Sequence, residues 1–155
     1  QGTQKRSAKD LEVEYENSGS LLNAHTSREY TAFTSHCLKG DVNRSVDSLA
    51  DILLNSKLSN EAIEAERSTI LREMEEVRET FFFEFLINFF FVIRLINVEE
   101  VLFDNLHASA FQGTSLGYTI LGPKENIQRL NRNQMLNYRE RFYTAQRMVL
   151  VGCGN

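Results

Sequence analysis

IEAERSTILREMEEV, residues Ile63 to Val77, is the stretch from which the rest of the chain is read. Ile63, Ile70, Met74 and Val77 recur at helical spacing and form one stripe. Glu66 and Glu73 fall on or beside that stripe, seven residues apart, so they nearly superimpose two turns on. A buried carboxylate is costly unless it is paired or binds a metal. The pair is therefore the first candidate for chemistry, and its helix the first element of the fold.

Upstream, Ser59 or Asn60 can cap that helix. Val46 to Leu54 reads as an amphipathic helix with Val46, Leu49, Ala50, Leu53 and Leu54 inward, and Lys39-Gly40-Asp41 as a turn before it. Leu21 to Leu38 reads as extended chain. Its stretch from Tyr30 to Cys37 is rich in β-formers, and Phe33 and Cys37 share a face. Lys9 to Asn17 is helical and stops at Ser18-Gly19. Downstream, Val98 to Phe111 predicts a helix with Val101, Leu102, Leu106 and Ala110 inward. A loop from Gln112 to Pro123 carries three glycines and the only proline. Short helices follow at Glu125 to Leu130 and Arg132 to Tyr143, then a strand at Met148 to Gly152. This order predicts an α+β fold, with helices packed on an antiparallel sheet. No internal repeat is present.

The 155 residues suffice for one domain with a core. Hydrophobic content of 42% and charged content of 25% exclude a disordered or collagen-like chain. A net charge of −4 gives nucleic-acid binding no electrostatic support. Cys37 and Cys153 match no zinc or redox spacing and read as reduced cysteines in strands. The opening QGTQKRSAKD, without an initiator Met or a targeting segment, predicts an internal piece of a longer protein.

Phe81 to Ile96, FFFEFLINFFFVIRLI, breaks the pattern and holds seven of the eleven phenylalanines. It is too short and too often interrupted for a transmembrane helix of about 20 residues. It has no clean period of 3.6 or 2, and as a free surface it is an aggregation hazard. Three readings are open: a buried element, an insertion touching a membrane or partner, or a translated non-coding stretch foreign to the working protein.

Each chemical reading has a plainer rival. Glu73 as a metal ligand needs converging partners, and His25, His36 and His107 are scattered with no metal-binding spacing. A surface carboxylate neutralised by Arg67 or Arg72 is the rival. Glu100 and Asp104, spaced i, i+4, can form an acidic face for a guanidinium or a merely solvated one. No Ser/His/Asp arrangement, P-loop or dinucleotide fingerprint is present.

Taken together, QGTQKRSAKDLEVEYENSGSLLNAHTSRE, AERSTILREMEEV, VEEVLFDNLHASAFQ, LGYTILGPKENI and YTAQRMVLVGCG resemble the pitrilysin-type zinc peptidases, the inverzincins, in their processing-peptidase branch. The resemblance covers nearly the whole chain except Phe81 to Ile96. It implies a zinc cofactor, with the HxxEH motif of two histidines and the general base lying upstream of Gln1. The chain alone is then expected to be inactive. The ungapped count from that motif lands on Glu73 as the third zinc ligand, with Glu66 orienting a ligand or water behind it. The resemblance further implies that a presequence peptide adds as a strand along Leu22 to Thr26, with Asn23 and Ala24 as its backbone contacts. Glu100 and Asp104 would read the arginine near the cleavage site.

The implied setting is a heterodimer with the alpha subunit of the processing peptidase, in the mitochondrial matrix or at the inner membrane. The rival within the same fold is a non-catalytic core protein of the cytochrome bc complex. His25, Tyr118 and Gln146 stand where relatives often have Tyr, Arg and Pro. In the family the ligand glutamate and the acidic pocket lie close together on one continuous helix, whereas 27 residues separate Glu73 from Glu100 here. If the added residues were all helical they would displace Glu100 by roughly 25 Å and turn it by about 100°. The comparison therefore favours a segment foreign to the working protein, such as a retained intron.

Overall fold

The computed structural model describes residues 2–84 and 95–154, with the side chains of 76–84 and 95–100 left aside. Six α-helices and one two-stranded antiparallel sheet are present among them, which bears out the α+β reading. The chain divides into two compact units, residues 1–63 with 130–155 and residues 64–129. No described helix is long and apolar enough to cross a membrane.

The first unit begins with a short hook. Gln4 N–H donates to the Asn55 carbonyl at 3.0 Å and Lys57 N–H to that of Gly2 at 3.1 Å. Helix α1 (Ala8–Asn17) starts in a capping box of Ser7 and Asp10 and buries Leu11 and Tyr15. It ends in a Schellman motif: Gly19, at φ 61°, donates to Glu16 and Ser20 donates to Tyr15. Strands β1 (Leu21–Thr26) and β2 (Thr31–His36) then form a hairpin pairing Leu21 with His36 through to Thr26 with Thr31. Ser27 makes the turn. Its N–H donates to the Tyr30 carbonyl at 2.8 Å, and its hydroxyl accepts from Tyr30 N–H at 3.1 Å.

Helix α2 (Val42–Asn55) buries Ser45, Ser48 and Asp51. The expected inward stripe is corrected here. Val46, Ala50 and Leu54 are exposed, and Leu49 and Leu53 are only half-buried. Asp51 decides the orientation, because its fully buried carboxylate is held by donors from the hook and from α2 itself. It accepts from Thr3 Oγ1 at 2.5 Å, Arg6 at 3.1 Å and Asn55 Nδ2 at 3.0 Å. Arg6 also binds Asp47 at 2.7 Å and Glu14 at 2.9 Å, so one guanidinium joins α1 to α2. These bonds hold the Asp51 and Asp47 carboxyls below the usual carboxylate range. Thr3 is the main cause for Asp51 and Arg6 for Asp47.

Helix α3 (Asn60–Glu84) is capped by Ser59, whose hydroxyl accepts from Ala62 N–H at 3.3 Å. Before it, Leu58 adopts φ 46°, a left-handed conformation in which its Cβ crowds the backbone. Helix α6 (Arg132–Phe142), after its own capping box of Asn131 and Gln134, holds this linker in place. Arg132 donates to the Leu58 carbonyl at 2.9 Å and Arg139 to that of Ser56 at 3.1 Å. The expected strand at Met148 to Gly152 does not form. The segment has no strand partner among the described residues, and Val149, Leu150 and Val151 are each about four-fifths exposed or more. The cysteines are free, as expected, but neither lies in a strand: Cys37 follows β2 and Cys153 lies in this unpaired segment.

The second unit contains most of α3, helix α4 (Leu95–Ala110) and the short α5 (Lys124–Arg129). Ile127 of α5 is buried, Arg67 donates to its carbonyl, and Lys124 pairs with Glu75 at 2.7 Å. On α4, Val101 is half-buried, but Leu102, Leu106 and Ala110 are exposed rather than inward. The half-buried face runs through Val101, Asp104 and His107, and the His107 ring stacks on Phe111 at 5.4 Å. Leu11, Tyr15, Ile63 and Ile127 are the buried apolar side chains among the described residues.

Thr3→Val should destabilise the fold by about 1–3 kcal/mol, because Asp51 stays buried and loses a donor. Urea unfolding of the variant measures this. The depressed Asp51 and Asp47 carboxyls stabilise the folded state fully above the unfolded carboxylate pKa of about 3.9. That stabilisation is lost as pH falls through their lower folded values. An acid unfolding midpoint that moves to higher pH in Thr3→Val is the expected sign.

Candidate functional site

Two separate groups of residues carry the candidate chemistry. The first is the outer edge of β1. Because Ser27 and Tyr30 form a hydrogen-bonded pair, alternation along the ladder makes His25 and Asn23 bonded partners of β2. Thr26, Ala24 and Leu22 then turn their N–H and C=O groups to the opposite edge, which has no strand partner among the described residues. The Thr34 hydroxyl, 3.5 Å from the Asn23 carbonyl, agrees with this register. All six residues of β1 are exposed. Of the two expected backbone contacts, Ala24 offers its main chain to this edge. Asn23 turns its own main chain to β2 and places its side-chain oxygen 2.8 Å from the N–H of Ala24.

The second group lies on α3 and α4. Glu66 and Glu73 are both exposed, beside a stripe in which Ile63 is buried and Ile70 and Met74 are half-buried. They are not the buried carboxylates that the apolar spacing suggested; a shift of about 60° around the helix is enough to turn them to solvent. Neither makes a hydrogen bond or ion pair with another described residue. Arg67, one of the two expected neutralising partners, pairs with Glu64 at 3.0 Å, which holds the Glu64 carboxyl below its ordinary range. Glu66 and Glu73 are separated by a rise of about 10 Å, so they do not share a single ion without side-chain convergence. Glu100 and Asp104 lie one turn apart on α4, and Asp104 is half-buried. Of Phe81 to Ile96, residues 85–94, between α3 and α4, lie outside the described residues.

The donor set tests the fit of a metal. Glu73 has an oxygen ligand to give, with no competing cation on it among the described residues. Yet no cluster of three or more His, Cys, Asp or Glu among those residues is placed to hold an ion. His25 and His36 belong to the hairpin, and His107 is stacked against Phe111. One carboxylate therefore suits a metal ligand but makes only part of a site. The Asn23 contact and the Thr3–Arg6–Asp51 cluster were not read from the sequence. Only the second had a signal, the i, i+4, i+8 spacing of Asp47, Asp51 and Asn55.

Comparison with known proteins gives these residues a setting. In Neurospora crassa, the mitochondrial-processing peptidase subunit beta is 50% identical over 153 residues, covering 99% of this chain and 29% of the relative. The mouse protein of the same name is 47% identical over 99% of this chain and 28% of its own length. A probable mitochondrial-processing peptidase subunit beta of Schizosaccharomyces pombe is 46% identical over 99% and 30%. The chain thus spans less than a third of the length of these curated relatives. The family model described as insulinase, peptidase family M16, matches residues 1–91. The chain belongs to the insulinase family of peptidases, M16.

Proposed function

We propose that this chain is part of a zinc metalloendopeptidase that removes N-terminal targeting presequences from imported precursors in the mitochondrial matrix or at the inner membrane. It would act as the beta subunit of a heterodimer with an alpha subunit. The observation that carries the reading is the 50% identity, over 99% of the chain, to a relative named the beta subunit of the mitochondrial-processing peptidase. The core protein of the cytochrome bc complex has weaker support, because the relatives compared carry the peptidase name.

In this reading Glu73 gives one oxygen ligand to zinc, and the remaining donors come from outside the described residues. Bound zinc would supply a water of lowered pKa and polarise the scissile carbonyl. Glu66, two turns earlier on α3, orients a ligand or water from behind. The outward N–H and C=O groups of β1 hold the peptide extended, fixing its main chain without reading its side chains. Glu100 and Asp104 pair with an arginine of the presequence through charge-assisted hydrogen bonds. The working protein brings the ligand and the acidic pair to one peptide without Phe81 to Ile96.

In the full-length protein, Glu73→Gln should lose bound zinc, read by metal analysis, together with presequence cleavage. Glu66→Gln should keep the metal but lower its affinity or the cleavage rate by about 10–100-fold. Zinc retained at wild-type affinity in Glu73→Gln would remove Glu73 from the ligand set. Peptide mapping of the native protein by mass spectrometry is expected to recover nothing from Phe81 to Ile96. Recovery of that segment would show that it belongs to the working protein.

A further inference from the structure

An unpaired sheet edge attracts any strand that meets it, and proteins blunt such edges to avoid unwanted pairing. The outer edge of β1 carries no proline, lysine or bulge. Ala24 is the middle of its three outward-facing residues, so any strand that adds along the whole edge must engage its N–H and C=O, whichever way it runs. The N–H of Ala24 is already in use: Asn23 Oδ1 accepts from it at 2.8 Å. The side chain of Asn23 stands on the opposite face of β1 from that of Ala24, and it must fold over the edge to make this bond.

We propose that Asn23 is a removable cap on the β1 edge, which an incoming extended peptide must displace before it can pair with Ala24. The inference rests on the reading of β1 as the peptide-binding strand and adds how that strand is regulated. The cap replaces one hydrogen bond by another, so it lowers peptide affinity modestly without closing the site. A peptide that pairs along the whole edge regains that bond and gains those of Leu22 and Thr26. One that pairs at Ala24 alone gains almost nothing. The cap thereby favours long extended segments over short or poorly aligned ones, and discourages a second copy of the chain from pairing on the same edge.

The full-length protein in its complex serves for the test, with a fluorescein-labelled extended peptide carrying one arginine as the probe. Asn23→Ala should speed amide hydrogen exchange at Ala24, and tighten peptide binding, each by about 2- to 10-fold, the range expected for one net hydrogen bond. Ala24→Pro removes the contested N–H at a position where an edge strand tolerates proline, and should weaken binding by at least the same factor. In the Asn23→Ala, Ala24→Pro double variant, the gain from Asn23→Ala should vanish. If Ala24→Pro weakens binding but Asn23→Ala leaves affinity unchanged or weaker, the cap is refuted and the peptide-binding edge stands. If Ala24→Pro leaves binding intact, β1 is not the binding strand and both ideas fail.

Discussion

A carboxylate taken out of water must be met by hydrogen-bond donors on every side, and Asp51 is met by Thr3, Arg6 and Asn55. Those three residues come from the hook and from α2 itself. The requirement of one side chain therefore decides which face of α2 turns inward, where the hook crosses it, and how α1 is tied down through Arg6 and Glu14. Arg6 works among three acidic side chains, and Asp47 does most to raise its already high pKa. Such a cluster adds little net stability over a well-packed apolar core, but removing one member leaves a buried charge unmet and is costly. Among the described residues the buried apolar side chains are Leu11, Tyr15, Ile63 and Ile127.

The candidate chemistry stands on elements that the cluster positions only indirectly. The hairpin follows α1 through the Gly19 cap, and the turn at Ser27 sets the phase of the ladder. Phase decides which of two neighbouring residues offers its main chain outward. A change of one residue in that turn would exchange the roles of Asn23 and Ala24. The α3 carboxylates depend on something simpler, the unbroken helix from Asn60, which keeps Glu66 and Glu73 on one side.

Much of the fold was legible in the sequence, and the exceptions share a cause. The helices at Lys9 to Asn17 and Arg132 to Tyr143 were found within a residue or so of their ends, because caps and periodicity act locally. The inward face of α2 was misread because that helix carries two stripes, one through Val46, Ala50 and Leu54 and one through Ser45, Ser48 and Asp51. Hydrophobicity chooses the first; the polar spacing of Asp47, Asp51 and Asn55 hints at the second, and the distant Thr3 and Arg6 make it the buried one. Met148 to Gly152 has the composition of a strand, but strand formation needs a partner that composition cannot supply. Glu66 and Glu73 were singled out by their spacing, while their roles came from resemblance. The bond from Asn23 to Ala24 leaves no pattern in the sequence at all.

The linker at Ser56 to Leu58 has a bearing on the order in which the protein takes shape. Its carbonyls are held by Arg132 and Arg139, which lie 74 and 83 residues further along the chain. The second unit is continuous in sequence, whereas the first is assembled from two stretches on either side of it. As the chain leaves the ribosome, residues 64–129 can gather before the first unit is complete. Leu58 can be held in its left-handed conformation only after α6 has emerged. The contact order of the first unit is therefore set by the length of the second, and lengthening the interruption slows closure more than it weakens the finished structure.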